Sequence, residues 1–177
     1  MIVMVIFLNK KFVIINAIVT FLLGFLVHGI YSWFPCFLTS IFPVNESLYE
    51  HVKLIYLSPI ISTMIVGAFY KYKINNIFYG MIVSTTFNIF LFYIIYLPIY
   101  YLLGNSLIVT LIIYFITIIA SAYLNYLIIE KENNEKLNVL GIILSIVGII
   151  FLTYFTYHPP KYDFFRDPEN NTYGIKK

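Results

Sequence analysis

The sequence predicts an all-α, polytopic membrane protein: a bundle of about five transmembrane helices with a short interfacial N-terminal segment and an ordered C-terminal cap. Hydrophobic residues make up 61% of the 177 positions and charged residues 11%, whereas soluble domains average roughly 45–50% apolar and ~25% charged residues. Five apolar runs approach the ~20 residues that a helix needs to cross a bilayer. These runs lack the strict alternation of apolar and polar residues that is typical of strands.

The apolar runs follow one another closely, so we expect residues 1–177 to form a single integral membrane domain. The predicted spans are 12–30, 46–69, 77–95, 107–129 and 139–157, followed by a tail over 158–177. Polar turns at 70–76, 103–106 and 130–136 separate the later spans. The opening MIVMVIFL is too short to span, which predicts an interfacial segment or an extension of the first helix. Pro59 and Pro98 are expected to kink or end their helices.

Small and polar residues inside the spans predict how the helices pack. Gly141-x-x-x-Ser145-x-x-Gly148 and Gly24-x-x-x-His28 form small-residue faces, which predicts close packing between the fifth and first helices. The amides and hydroxyls inside the spans, exemplified by Asn88, favour hydrogen bonds between helices, worth ~1 kcal/mol or less each.

Lysines in the short loops predict the orientation of the bundle. With the N-terminus inside, six loop lysines are cytoplasmic and Lys53 alone is outside; the six are Lys10, Lys11, Lys71, Lys73, Lys131 and Lys136. The sequence thus favours a multi-pass protein of the cell membrane with a cytoplasmic N-terminus. The tail would be extracytoplasmic, although Lys161, Arg166, Lys176 and Lys177 run against the rule.

Five crossings place the loop after the first helix and the tail after the fifth on the same face. His28 lies sixteen residues into the first span, roughly 24 Å along it, and therefore approaches that face. His51 begins the second helix and His158 follows the fifth. All three histidines are thus predicted at one surface.

The polar stretch VNESLYEHVK (Val44–Lys53) lies at this surface, between long apolar runs. Ser47 and Glu50 fit a capping box, and Asn45 is an alternative cap. On a helix Glu46, Glu50 and Lys53 share one arc. Macrodipole stabilisation of the carboxylates favours an ordinary capped, water-facing start of a helix.

The alternative orientation turns this stripe toward the bundle interior, where it would form an acid/base set or a metal site. The candidate ligands of zinc or another divalent metal are His28, His51, Glu50 and His158, since zinc takes three or four N/O/S ligands. No HExxH or paired CxxC motif supports this assignment. The wider set of candidate polar-site residues is Asn45, Glu46, Ser47, Glu50, His51, Lys53, Arg166 and Asp167.

The tail HPPKYDFFRDPENNTYGIKK is expected to fold over the start of the second helix, with Arg166 reaching Glu46 or Glu50. The run PVNESLYEHVKL together with HPP…FFRDP…TYG resembles a family of small polytopic prokaryotic membrane proteins of unknown function. The resemblance covers nearly the whole chain and implies one undivided membrane domain without a known activity. It also implies that certain positions belong together, namely Asn45, Glu46, Ser47, Glu50, His51, Pro160, Asp167 and Gly174.

Several function classes are disfavoured by the sequence. Nucleic-acid binding is disfavoured because the sequence has no stripe of basic residues. The single cysteine, Cys36, cannot form a disulfide within the chain. Ion-coupled transport typically requires charged residues near the middle of a span. The predicted spans have no charged residue in their central parts. With the bilayer as its one expected partner, the chain is predicted to be a binding or structural membrane module. The alternatives are a metal-dependent membrane hydrolase and a passive channel or small-substrate carrier, so whether it is an enzyme stays open.

Overall fold

Five α-helices make up most of the part of the chain that the structure describes. The computed structural model describes residues 2–69 and 75–175, with side chains from residue 11 onward. The helices are α1 (Ile2–Trp33), α2 (Leu48–Phe69), α3 (Ile77–Leu103), α4 (Leu107–Ile129) and α5 (Glu135–Tyr157), with short 3₁₀ turns at Leu38–Ile41 and Asp163–Phe165. Each of the five is long and apolar enough to cross a membrane. The predicted all-α bundle of five helices is confirmed.

Three helix boundaries differ from the prediction by four residues or more. The opening segment is helical from Ile2 and continuous with α1, so it is an extension of that helix. α3 continues through Pro98 to Leu103 and is followed by the capping residue Gly104, whose φ of 80° favours glycine. α5 begins earlier than expected because the Asn134 side chain accepts a hydrogen bond from the Leu137 N–H (3.2 Å) and caps the helix.

The helix neighbours also differ from the prediction. α1 packs on α2 and α4, while α3 packs on α2, α4 and α5. Gly141 lies against the backbone of Phe78 in α3, and Gly24 lies against the Tyr114 ring in α4. The expected close packing of α5 on α1 through these glycines is therefore wrong, because the small-residue face of α5 packs against α3 at Gly141 and that of α1 packs against α4 at Gly24.

Polar side chains in the middle of the helices form a seam between α1, α2, α3 and α4. Its members, here called the polar seam, are Asn16, Ser62, Thr63, Ser84, Ser121 and Asn125. The Thr63 hydroxyl accepts hydrogen bonds from the side-chain amides of Asn16 (3.3 Å) and Asn125 (3.0 Å). Ser121 donates to the Ser84 carbonyl (2.9 Å). The prediction that such residues join helices is confirmed for this group but wrong for Asn88, whose buried side-chain amide has no hydrogen-bond partner among the described residues.

One end of the bundle holds both the α1–α2 loop and the tail. The side-chain amide of Asn45 donates to the Gly174 carbonyl (2.9 Å), and the rings of Phe37 and Tyr157 lie 6.0 Å apart. We call this the tail end; it carries the carboxyl end of α1 and the amino end of α2, as five antiparallel helices require. Lys71, Lys73, Lys176 and Lys177 lie outside the described residues, so the lysine-based orientation stays a prediction.

Candidate functional site

The start of α2 is capped by Ser47. The Glu50 N–H donates to the Ser47 hydroxyl (3.2 Å), which is the first half of the predicted capping box. The second half is replaced, since the Ser47 N–H donates to the side-chain oxygen of Asn45 (2.9 Å). The Glu50 carboxylate is thereby free to turn inward.

Glu50 and Lys53 form an ion pair inside the bundle. The Lys53 Nζ and Glu50 Oε2 atoms are 2.8 Å apart, and their side chains are 0% and 1% exposed. Glu50 Oε2 also accepts from the Val44 N–H (3.1 Å), and Oε1 accepts from the Thr156 hydroxyl of α5 (2.8 Å). We call Glu50 and Lys53 the buried pair; its carboxylate ties α2 to α5 and to the preceding loop.

The ammonium of the buried pair is equally well satisfied. Lys53 Nζ donates to the carbonyls of Ser40 (2.8 Å) and Phe42 (3.3 Å) in the α1–α2 loop. With Glu50, it therefore has three acceptors for its three N–H bonds. The favoured prediction of a water-facing stripe is wrong for Glu50 and Lys53, because the loop and α5 cover this side of α2.

Three other polar side chains meet beside the buried pair. His28 Nε2 lies 3.4 Å from Glu46 Oε1, and His51 Nε2 lies 3.6 Å from Glu46 Oε2. The histidine ring centroids are 5.3 Å apart. We call His28, Glu46 and His51 the His/Glu cluster. Their side chains are 39%, 38% and 29% exposed, so the cluster is only partly covered.

The orientation of His51 is fixed by the first turn of α2. Its Nδ1 lies 2.9 Å from the Ser47 carbonyl oxygen, an acceptor, which assigns the Nδ1 position a proton. In the neutral ring, Nε2 then carries the lone pair and points toward Glu46. The same residue that caps the helix thus sets the tautomer of His51.

The Glu46 carboxyl belongs to the α1–α2 loop, outside the helices. The hydrogen bond from the His28 side chain lowers the pKa of Glu46, opposed by partial burial and assisted by the charges of both histidines. A lowered pKa keeps the carboxylate ionised at neutral pH.

A cavity of about 610 Å³ opens beside the His/Glu cluster, between α1, α2, α3 and α4 at the tail end. The cluster and the tail form its polar end. Its deeper walls are mostly apolar and rich in aromatic rings; these include Phe21, Phe92, Tyr93, Tyr96, Tyr100 and Tyr114. This size lies within the range of about 300–1,000 Å³ that is typical of small-molecule sites.

The tail is a folded cap, as predicted, and it is held against α2. Phe165 stacks on Tyr49 with ring centroids 4.5 Å apart. The buried Asp167 side chain accepts from the Glu169 N–H (3.0 Å) and from the Asn170 amide (2.9 Å). Asp167 therefore shapes the tail itself.

Arg166 does not reach Glu46 or Glu50, so this expectation is wrong. Its guanidinium pairs with Asp163 at 3.1 Å, three residues earlier, because the 3₁₀ turn at Asp163–Phe165 places the two side chains together. Arg166 nevertheless lines the cavity together with Asp163 and Glu169. The tail therefore contributes charge to the polar end.

His158 and Glu50 are not members of the His/Glu cluster, which corrects the predicted metal-ligand set. His158 ends α5, is exposed and stacks on Tyr154 with ring centroids 4.6 Å apart. Glu50 is held in the buried pair. His28 and His51 are brought together as expected, and Glu46 takes the third position.

The sequence reasoning did not identify the aromatic walls of the cavity. Tyr93, Tyr96 and Tyr100 are spaced by three and four residues, which places them on one face of α3. That periodicity was a usable signal for one wall. Thr156, which binds the Glu50 carboxylate from 106 residues away, had no comparable signal.

Comparison with known proteins adds the family but no activity. No curated protein and no solved structure matches this chain. A family model matches residues 1–175, which include all five helices, the His/Glu cluster and the folded tail. The chain therefore belongs to the family of unknown function DUF6512.

Proposed function

We propose that the protein is a multi-pass membrane protein that binds an amphipathic small molecule in the cavity at the tail end. The single observation behind this proposal is the cavity of about 610 Å³, which has apolar aromatic walls and one polar end. An apolar chain would lie along α3 and α4. Its polar head would contact the His/Glu cluster and the tail.

The hydrogen bonding of the polar side chains supports a structural role for the buried pair and a binding role for the His/Glu cluster. The buried pair uses its hydrogen-bonding capacity within the protein. The His/Glu cluster faces the cavity, and its shortest ion-pair distances are 3.4 and 3.6 Å. A few convergent polar groups beside an apolar pocket are the usual arrangement in small-molecule sites.

The bilayer would be both the solvent and the source of the ligand. The outer faces of the helices carry exposed apolar side chains; examples are Ile18, Leu22, Ile94, Ile112, Ile146 and Ile150. The cavity lies among helices with this kind of surface, so its ligand would be lipid-soluble. We therefore assign the ligand to the class of membrane amphiphiles.

A pair of neighbouring substitutions on α4 tests the proposal. Leu111 lines the cavity, whereas Ile112 is 54% exposed on the outer face. Leu111→Trp should fill the cavity, and Ile112→Trp should leave it open. Mass spectrometry of amphiphiles that copurify in a mild detergent should show several-fold less material per chain for Leu111→Trp alone. Equal amounts in the wild type and both variants would contradict the proposal.

A second candidate function is metal-dependent hydrolysis of a membrane amphiphile. It is favoured by one observation, namely that two histidines and a glutamate meet at the polar end of the cavity. Catalytic zinc sites use this donor set with an open position for water. Incubation with total lipid extract should then release a cleavage product with the wild type but not with Glu46→Gln. Identical product profiles would eliminate this candidate.

A carrier function receives less support. It would require a polar path from the cavity to the middle of the bundle, near Asn88. Asn88 is fully buried and is not among the described residues that line the cavity. The cavity is therefore better supported as a binding site than as part of a transport pathway.

A further inference from the structure

We propose that His28, Glu46 and His51 bind one divalent first-row transition metal, with zinc as the best fit, at the polar end of the cavity. The three side chains would supply three ligands, and the fourth position would face the cavity. This inference deepens the proposed function, because the open position would accept an oxygen atom of the amphiphile head or a water molecule.

The distances in the His/Glu cluster are close to those of a coordination sphere. One ligand atom from each residue lies within 4.8 Å of the other two, and the two histidine–glutamate distances are 3.4 and 3.6 Å. Tetrahedral zinc with bonds of about 2.0–2.1 Å places its ligand atoms about 3.4 Å apart. Each histidine already has about this separation from one of the two Glu46 carboxylate oxygens. Binding of a metal ion would therefore require the carboxylate to turn and the two histidines to approach each other.

The second coordination shell is already present for one ligand. His51 donates its Nδ1 proton to the Ser47 carbonyl (2.9 Å), which leaves the Nε2 lone pair directed at Glu46 Oε2. Metal-bound histidines characteristically donate their other ring N–H to a carbonyl or carboxylate. Without a cation, two acceptors would face each other at 3.6 Å. A metal ion or an additional proton on His51 removes this conflict, and the experiment below separates the two.

The charge of the cavity lining also favours a cation. The carboxylates of Glu46, Asp163 and Glu169 outnumber the one guanidinium of Arg166, leaving a formal charge of −2. A divalent ion would neutralise this charge. The buried pair does not contribute to the balance, because Glu50 and Lys53 compensate each other away from the cavity.

The donor set distinguishes between classes of metal. Two imidazoles and one carboxylate suit zinc and the neighbouring transition metals, whereas calcium and magnesium prefer all-oxygen sites. Two histidines and one carboxylate with open positions are also found at non-haem Fe(II) centres. Zinc and iron are therefore the two metals that the metal analysis must distinguish.

The test compares full-length wild-type protein with His51→Ala, Glu46→Gln and the control variant His158→Ala. His158 lies at the same end of the bundle but outside the cluster, so its loss should not affect binding. Elemental analysis of detergent-purified protein identifies the native metal. Titration with Zn²⁺, Fe²⁺ and Co²⁺, read by equilibrium dialysis and by the visible absorption of bound Co²⁺, gives affinity and coordination geometry.

We expect about one metal ion per chain in the wild type and in His158→Ala, by the three-ligand geometry. Affinity should fall about tenfold or more in His51→Ala and Glu46→Gln, since even the loss of an outer-shell partner weakens binding to this extent. Absence of binding in the wild type, or equal binding in all four proteins, overturns the proposal. If His51→Ala does not fold, the isosteric Glu46→Gln decides the result.

The same samples separate this inference from the proposed function. Metal alone is the probe in the titrations, while copurified amphiphile is measured by mass spectrometry. Wild-type protein that binds metal but carries no amphiphile would refute the ligand-binding role and keep the metal site. Protein that carries amphiphile but binds no metal would refute only the metal site.

Discussion

Glu46 and Glu50 are four residues apart in the same polar stretch, yet they have opposite surroundings. Glu50 is 1% exposed and binds one ammonium, one backbone N–H and one hydroxyl. Glu46 is 38% exposed and faces two histidines at 3.4 and 3.6 Å. The first carboxylate is saturated by the fold, whereas the second has capacity for a ligand.

This difference helps to distinguish structural from functional polar side chains in apolar helices. A buried ion pair whose partners are all in the protein is costly to break, because removing one member leaves the other charge uncompensated in the interior. A partly exposed cluster beside a cavity contributes little to the stability of the fold, which makes it a candidate for binding or catalysis. The buried pair therefore has a structural role, and the His/Glu cluster is the candidate for function.

The largest expected effect comes from breaking the buried pair. Glu50→Gln leaves the Lys53 ammonium in the interior without an anion, which should cost about 3–5 kcal/mol of unfolding free energy. Unfolding in mixed detergent micelles measures the loss. The double variant Glu50→Gln/Lys53→Met should lose less than Glu50→Gln alone, since no uncompensated charge remains. A double variant that is less stable than Glu50→Gln would show that the uncompensated Lys53 charge is not the cause of the loss in stability.

A smaller effect is expected where the α1–α2 loop holds the tail. Asn45→Ala removes the hydrogen bonds to the Gly174 carbonyl and from the Ser47 N–H. The expected loss is about 1–2 kcal/mol, with faster tryptic cleavage of the tail. Asn133→Ala is the control, because Asn133 is exposed and binds the nearby Asn138 at the other end of the bundle. Equal cleavage rates in both variants would argue against this link.

The polar seam should contribute less than the buried pair because it carries no charge. Thr63→Val removes the hydroxyl shared by Asn16 and Asn125, with an expected cost of about 1 kcal/mol. Thr86→Val is the matched control, since the exposed Thr86 hydroxyl binds the Ile82 carbonyl of its own helix. The difference between the two unfolding curves measures the seam. Identical curves would mean that the seam adds nothing between helices.

The smallest effect on stability is expected for Glu46→Gln. Partly exposed ion pairs contribute roughly 0–1 kcal/mol, so in metal-free protein this variant should lose less than about 1 kcal/mol. Comparison with Glu50→Gln in the same unfolding assay gives the sharpest contrast, because the chemical change is identical. A loss as large as that of Glu50→Gln would remove the distinction between a structural and a functional carboxylate.

Much of the architecture could be predicted without coordinates. Helix number followed from the length of the apolar runs, and the meeting of His28, His51 and the tail at one end followed from an odd number of helices. The cap at Ser47 was readable from its local motif. Such properties depend on residues close together in the chain or on simple counting.

The partners of individual side chains could not be predicted in the same way. Arg166 was expected at Glu46 or Glu50 and instead binds Asp163, and His158 was expected in the metal set and instead stacks on Tyr154. The small-residue faces of α1 and α5 receive Tyr114 and Phe78 rather than each other. The last of these outcomes depends on which helix lies next to which, whereas Arg166 and His158 take partners three and four residues earlier in the chain instead of the distant ones that were expected.

The sequence by itself determined that this chain forms five apolar helices and that its polar stretch lies at the same end as its tail. Only the tertiary structure decided that Glu50 is enclosed while Glu46 faces a cavity with His28 and His51. The physical reason is that the outward-facing and core-facing sides of these helices are both apolar. Hydrophobic periodicity therefore leaves the rotation of each helix open, and packing between helices fixes it.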